Sequence, residues 1–131
     1  MALEQAGMIA AGLGCRRGAS AEEIIAVVHL ALSEAGLSAD ALSGLFAPAF
    51  KQAETGLAEA AAALNLPLVL IPDALMQAAQ ARTVTQSDRV VALVGYGSVA
   101  EAAALCGAGP NARLVLPRLA KGGVTCALAA T

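Results

Sequence analysis

The sequence predicts an α/β fold of three layers, in which a mostly parallel sheet is flanked by helices and ends in a C-terminal β-hairpin edge. Short apolar runs alternate along the chain with periodic stretches of helix length, and glycine or proline ends most of them. Strands that alternate with helices are typical of parallel sheets covered on both faces. The 131 residues contain no linker-like stretch, so a single domain is expected over residues 1–131.

Local patterns define the individual elements. The first strand is a short apolar run ended by Gly14, and the first helix carries its apolar side chains on one face until Gly36. Gly107 and Gly109 are expected to stop the last helix, and residues 117–123 are short enough to join the last two strands as a hairpin. The predicted strands cover residues 8–13, 42–47, 66–71, 90–94, 113–116 and 124–129, and the predicted helices cover residues 20–35, 54–64, 73–81 and 98–105.

Composition excludes several classes of protein. Hydrophobic residues make up 58% of the chain and the net charge is only −2, which excludes a disordered protein. Aromatic residues make up 2%, too few for a platform that stacks nucleic-acid bases, and the net charge offers no basic field for DNA or RNA. The apolar stretch near the N-terminus is about half the ~20 residues that a membrane span needs. We therefore expect neither a nucleic-acid nor a membrane partner.

Cysteine and histidine content limits the metal and redox chemistry. The three cysteines are odd in number, none has the C-x-x-C spacing of metal ligands, and the chain has one histidine. No metal site and no cofactor are predicted, and a reducing, cytoplasmic setting is expected.

A glycine-rich loop between the first strand and the first helix is the leading candidate for a ligand site. Ser20 and Glu23 have the spacing of a capping box, so the helix begins directly after a strand–glycine turn. A helix start presents N–H groups and a positive dipole end, and Arg16 and Arg17 add guanidinium groups suited to carboxylates or phosphates. The alternative is that the arginines are merely solvated. The residues expected to bind are Gly14, Cys15, Arg16, Arg17 and Ser20.

No catalytic residue is predicted. Arginines and a helix start near Cys15 are features that lower a thiol pKa, but no base is placed beside it, so Cys15 is interpreted as a small residue at a tight turn. His29 lies inside the first predicted helix, away from its start, and is interpreted as a surface histidine.

A second glycine-rich loop repeats the arrangement after the strand predicted over residues 90–94. It ends in Ser98, with Glu101 three residues later. Residues 95–100 also satisfy the dinucleotide pattern G-x-G-x-x-A, which leaves a small nucleotide-binding module as an alternative function. No acidic residue follows Glu101, so the ribose-binding acid expected about 20 residues later is missing. The residues expected to bind here are Tyr96, Gly97 and Ser98.

Further basic residues lie outside the two loops. Lys51 follows the second predicted strand at its carboxyl end, where ligands bind in such folds, and is a candidate contact. Arg113, Arg118 and Lys121 follow Glu101 with no acidic residue among them. If they converge with the first loop, the pocket suits a ligand with several negative groups. The alternative is ordinary scatter over the surface.

The first loop, Gly-x-Gly-Cys-Arg-Arg-Gly-Ala-Ser-x-Glu-Glu-Ile, resembles the opening of the CobE family of cobalamin (vitamin B12) biosynthesis proteins, which is similar to the C-terminal domain of CbiG. Residues 97–105 resemble the second motif of that family, and residues 124–129 fit its last strand. Lys51, Glu54, Gly56 and Leu57 match a weaker middle segment. Ala19 departs from the family where Thr is common, Ala49 where Asp is expected, and Tyr96 replaces a small aliphatic residue.

The resemblance implies a role in making the corrin ring, in the oxygen-dependent route. It implies a corrin or precorrin intermediate as the ligand, and other enzymes of the pathway as partners to which the ligand is handed. Such intermediates carry many carboxylates, which agrees with the anion site reasoned from the first loop. An alternative taken from CbiG is a hydrolase that opens a lactone of a precorrin intermediate, and the absence of Asp at position 49 weakens it. Whether the protein is an enzyme stays open.

Overall fold

The computed structural model describes residues 9–79 and 98–131. Within these ranges the chain forms five strands and four α-helices, with short 3-10 turns at Ala39–Ala41 and Ala49–Lys51. The strands are β1 (Ile9–Cys15), β2 (Leu42–Pro48), β3 (Leu68–Ile71), β4 (Arg113–Lys121) and β5 (Val124–Ala130), and the helices are α1 (Ala21–Ala35), α2 (Thr55–Ala63), α3 (Asp73–Ala79) and α4 (Val99–Ala108).

The strands form one sheet in the order β3-β2-β1-β5-β4. The β1, β2 and β3 strands are parallel, whereas β5 runs antiparallel to both β1 and β4. The predicted α/β architecture, with a parallel core and a C-terminal hairpin edge, is therefore confirmed. Because successive strand residues face opposite sides, Ala11 and Leu13 pack under α1 and α2 while Ala10 packs under α3 and α4. This alternation produces three layers.

Gly12 allows α4 to lie directly on the centre of the sheet. A Cβ built on this residue would overlap the carbonyl oxygen of Ala100 and the backbone nitrogen of Ala104. Small side chains continue this close contact along α4, whose buried alanines include Ala102 and Ala103. The alanine-rich composition thus corresponds to a helix that approaches the strands more closely than larger side chains would permit.

The C-terminal hairpin differs from the prediction in its length. The segment expected to be a connection over residues 117–123 is mostly strand, because β4 continues to Lys121 and only Gly122 and Gly123 form the turn. Both glycines have positive φ, 62° and 82°, as two-residue hairpin turns with a matching twist require. Pro117 is tolerated because β4 is an edge strand and its pairing with β5 is irregular on either side of Leu116.

Other predicted boundaries shift by a few residues. Gly107 does not stop α4, which continues to Ala108 and is capped at Gly109. Gly107 is inside the helix because it packs against the ring of Phe46, which would overlap a Cβ at this position. The α1 helix ends at Gly36 with a φ of 72°, as expected. The strand predicted over residues 90–94 lies outside the described residues. None of the helices in the described ranges is long and apolar enough to span a membrane.

Candidate functional site

A cleft of about 740 Å³ opens beside the carboxyl ends of β1 and β2. One wall is the loop that follows β1, and the other is the 3-10 turn after β2 together with the first turns of α2. In parallel sheets this edge is where ligands bind. The residues that line the cleft are Arg17, Gly18, Ala19, Ser20, Phe50, Lys51, Ala53, Glu54, Thr55, Gly56 and Glu59.

The two walls touch at a glycine. A Cβ on Gly56 would overlap the carbonyl oxygen of Ala19, so only glycine lets the first turn of α2 lie this close to the loop. The loop itself turns through Gly18, whose φ of 80° is favourable for glycine. The starts of α1 and α2 are therefore neighbours at the cleft.

Arg16 and Arg17 have different surroundings. The Arg16 guanidinium donates from Nη2 to both carboxylate oxygens of Glu23 at 2.8 Å, and its aliphatic part packs over Gly123 in the hairpin turn. Arg17 lines the cleft instead. Of the adjacent pair predicted to bind a ligand, Arg16 is engaged in an internal ion pair and Arg17 borders the open cleft.

The predicted capping box at the start of α1 is present. The Glu23 N–H donates to Ser20 Oγ at 3.1 Å, and the Ser20 N–H donates to Glu23 Oε1 at 3.0 Å. The hydrogen bond from Arg16 and the one from the Ser20 N–H lower the pKa of Glu23. Because Glu23 already supplies a negative charge to this helix start, α1 offers less to an external anion than its sequence indicates.

The start of α2 is different. Its N-cap residue, Glu54, makes no capping hydrogen bond through its side chain. The Glu54 carboxylate crosses the cleft instead and accepts from the Gly18 N–H at 2.8 Å. The Lys51 Nζ also crosses, and donates to the carbonyl oxygen of Cys15. Segment 51–54 thus contacts the loop after β1 through two polar groups of opposite charge.

Cys15 faces the core rather than the cleft. It is 8% exposed and belongs to the apolar layer under α1 and α2. Burial raises the pKa of its thiol and outweighs the opposite effect of Lys51 and Arg16. The sequence features expected to lower this pKa are present, but desolvation dominates.

Only part of the second glycine-rich loop belongs to the described residues. Ser98 is fully buried and caps α4, because its Oγ accepts from the Glu101 N–H at 3.1 Å. The Glu101 carboxylate is also buried and accepts from the backbone N–H of Arg118 at 2.9 Å. Tyr96 and Gly97, like Gly95, lie outside the described residues.

The basic residues near the C-terminus do not line this cleft. Lys121 borders a smaller cavity of about 140 Å³ beside Glu23 and the hairpin turn, and Arg113 begins β4 at the far end of the sheet. Of the two alternatives left open by the sequence, convergence of these residues with the first loop is therefore not found among the residues that line the cleft. No cluster that could hold a metal ion is found within the described ranges.

Comparison with known proteins identifies the family. The family model described as "Cobalamin synthesis G C-terminus" matches residues 9–129. The chain belongs to the CbiG C-terminal family. It is 35% identical over 118 residues to Protein CobE from Sinorhizobium sp., an alignment that covers 90% of this chain and 77% of that protein. It is thus a cobalamin biosynthesis protein of the CobE/CbiG C-terminal type, as the sequence resemblance indicated.

Solved structures of the CbiG C-terminal type share the fold. The crystal structure of CobE, a protein from the cobalamin (vitamin B12) biosynthetic pathway, matches with a TM-score of 0.86 and 34% identity over 92% of this chain and 88% of that one. The cobalamin biosynthesis protein chiG from Agrobacterium tumefaciens str. C58 matches with a TM-score of 0.76 and 43% identity over 94% and 98% of the two chains.

Two of the four family segments recognised in the sequence meet at the cleft. Arg17 and Gly18 of the first segment lie in one wall, and Lys51, Glu54 and Gly56 of the weaker middle segment lie in the other. Ligand binding by Gly14, Cys15, Arg16, Ser20 and Ser98 stays a prediction, and so does binding by Arg17 and Lys51.

Sequence reasoning missed Phe50, Thr55 and Glu59 as cleft residues. Phe50 is the most informative, because this residue is 53% exposed and lines the cleft in a chain with two phenylalanines. The Lys51 Nζ lies 6.0 Å from the ring centroid, within reach of a cation–π contact. Tyr96 is therefore not the only aromatic residue to consider for ligand contact. The signal available was a phenylalanine two residues after Pro48, the proline that ends the second strand.

Proposed function

We propose that this protein serves cobalamin biosynthesis by binding a polycarboxylate corrin or precorrin intermediate in the cleft beside β1 and β2. The observation that carries the proposal is the convergence of Arg17, Lys51 and the start of α2 on one open cleft. A guanidinium, an ammonium and a helix N-terminus all favour carboxylates. Membership of a cobalamin synthesis family supports a corrin or precorrin as the class of ligand.

The size and lining of the cleft favour a large ligand that is bound through the carboxylates on the rim of the ligand. A volume of about 740 Å³ is in the range of sites for cofactor-sized molecules. Charged side chains and backbone N–H groups contact the carboxylates in this proposal, while the exposed ring of Phe50 offers a flat apolar surface to the macrocycle. Cationic side chains alone would not distinguish a corrin from any other polyanion.

Binding is tested with two corrins that differ in charge. Cobyrinic acid carries free carboxylates on its rim, and cobinamide carries amides in their place. We expect visible absorbance to change on titration with cobyrinic acid, with much weaker binding of cobinamide and with affinity that falls as salt rises. Mass spectrometry of the recovered ligand separates binding from lactone hydrolysis, because a binding protein returns it unchanged.

Arg17→Ala tests the site, with Arg113→Ala as the matched control. Both variants remove one exposed arginine, but Arg113 lies at the opposite end of the sheet, where β4 begins. We expect Arg17→Ala to raise the dissociation constant for cobyrinic acid roughly tenfold, since a hydrogen bond to a charged group contributes about 1.5 kcal/mol or more. If the two variants bind cobyrinic acid with equal affinity, the cleft is not the binding site. If the wild-type protein does not bind cobyrinic acid, the proposed function is wrong.

A further inference from the structure

The Glu54–Gly18 hydrogen bond places an internal carboxylate at the predicted anion site. Gly18 belongs to the glycine-rich loop after β1, its N–H is exposed toward the cleft, and the Glu54 carboxylate accepts from it at 2.8 Å. Arg17 and Lys51 line the same cleft. A side-chain carboxylate of the protein therefore occupies a position that a ligand carboxylate would be expected to take.

One N–H group cannot hold two carboxylates at full strength. Two negative charges brought to about 3 Å from the same donor repel each other, as paired carboxylates in proteins show by the rise of one pKa. We propose that Glu54 holds the place of a ligand carboxylate on the Gly18 N–H, and that a bound polycarboxylate displaces it. This inference rests on the proposed function, because it concerns the same cleft and the same class of ligand.

Displacement makes Glu54 a specificity-determining residue. Its carboxylate is tethered two residues before Gly56, where α2 contacts the loop, so it competes at a high effective concentration for the Gly18 N–H. A free monocarboxylate such as acetate makes a single contact, so it displaces Glu54 only when its own concentration exceeds this effective concentration. A polycarboxylate gains further contacts at Arg17 and Lys51 and displaces Glu54 at far lower concentration.

Glu54→Gln isolates the effect with little change in shape. A glutamine carbonyl oxygen still accepts from the Gly18 N–H, but the bond loses its charge, and charge-assisted hydrogen bonds are about twice as strong as neutral ones. Glu59→Gln is the matched control, because it removes an equal charge from the same cleft and leaves the Glu54–Gly18 bond in place. Glu54→Ala removes the competitor entirely, and its melting temperature shows whether it remains folded.

Two readouts are measured on the full chain. The first is the dissociation constant for cobyrinic acid, which we expect to fall roughly 3- to 10-fold in Glu54→Gln and by less than about 2-fold in Glu59→Gln. The second is the Gly18 amide resonance in NMR spectra during titration with acetate and with citrate. We expect it to shift at lower concentrations of both anions in Glu54→Gln and Glu54→Ala than in the wild type.

The outcomes separate this inference from the proposed function. If Glu54→Gln binds cobyrinic acid no better than Glu59→Gln does, or more weakly, Glu54 is a support for the loop and the displacement is overturned. The same holds if the Gly18 resonance responds to citrate identically in all four proteins. If the anions compete with Glu54 in the expected order but cobyrinic acid binds none of the proteins, the displacement stands and the proposed corrin function fails.

Discussion

Substitution of Gly12 by alanine tests the close contact between α4 and the sheet. The added Cβ would overlap backbone atoms of Ala100 and Ala104 and lie 2.8 Å from the Ala104 Cβ. Carbon atoms pack at roughly 3.5–4.0 Å, so α4 would have to move outward by roughly 1 Å. The obstructing atoms are mostly helix backbone, which cannot rotate away as a side chain can.

The expected cost of Gly12→Ala lies at the upper end of overpacking effects, about 3 kcal/mol. Replacing glycine also restricts the unfolded chain, and this raises the free energy of unfolding by about 0.4–1 kcal/mol. A net loss of ~2 kcal/mol corresponds to a fall in melting temperature of roughly 8 °C for a domain of this size. Calorimetry or far-UV circular dichroism on heating measures it.

Gly14→Ala is the matched control, on the same strand and the same face. Its Cβ would meet the Thr125 Oγ1 at 2.7 Å, a hydroxyl that can rotate at the loss of its hydrogen bond to the Gly14 carbonyl oxygen. That loss is about 1 kcal/mol and is largely offset in the unfolded chain. If Gly12→Ala melts as the wild type does, or if Gly14→Ala is equally destabilised, the reasoning from backbone overlap is wrong.

Three further predictions concern charge, ligand contact and thiols. Arg16→Ala should reduce the loss of stability on acidification: the pKa of Glu23 is lowered in the folded state, so its stabilisation is complete above its ordinary pKa and disappears as pH falls through the lowered one. Melting curves between about pH 7 and pH 3 measure this, and equal slopes for variant and wild type would contradict it. Phe50→Ala should raise the dissociation constant for cobyrinic acid by about 3- to 10-fold, and Phe50→Leu should raise it by less. Neither variant should lose thermal stability, because Phe50 is exposed. Equal affinity in the wild type and both variants would exclude a contact between the ring and the ligand. Iodoacetamide should label Cys106, which is half-buried, before Cys126, whose pKa burial raises to about 12, and mass spectrometry that shows early labelling of Cys126 would contradict the buried position.

Periodic elements of the fold could be predicted from sequence because their cause is local. The alternation of apolar residues in α1 and the Ser20–Glu23 capping box are set within a few residues, and both are confirmed. The end of α4 could not be predicted, because Gly107 stays helical through its contact with Phe46, a residue far away in the chain. Tertiary packing decides such positions, and a single sequence does not display it.

The site was predictable in place but not in detail. Strand ends and glycines indicated the correct edge of the sheet, where the cleft lies. Arg16 contacts Glu23 while Arg17 lines the cleft, and this difference depends on the direction of the chain after Cys15. The sequence shows two adjacent arginines and gives no reason to distinguish them. The Glu54–Gly18 bond joins residues 36 positions apart, so no local pattern indicates it.

The buried Glu101 carboxylate selects one alignment of the C-terminal hairpin. In the β4–β5 pair, Leu116 faces Leu128 and Leu119 faces Cys126, so β4 has one residue more than β5 over this stretch. The Arg118 N–H lies in that irregular stretch and donates to Glu101. A hairpin that slipped by one residue would break this hydrogen bond to a buried side chain, at a cost of about 1 kcal/mol. The Glu101 side chain thus ties the register of edge strand β4 to the position of α4, through a contact that is separate from the pairing of β4 with β5.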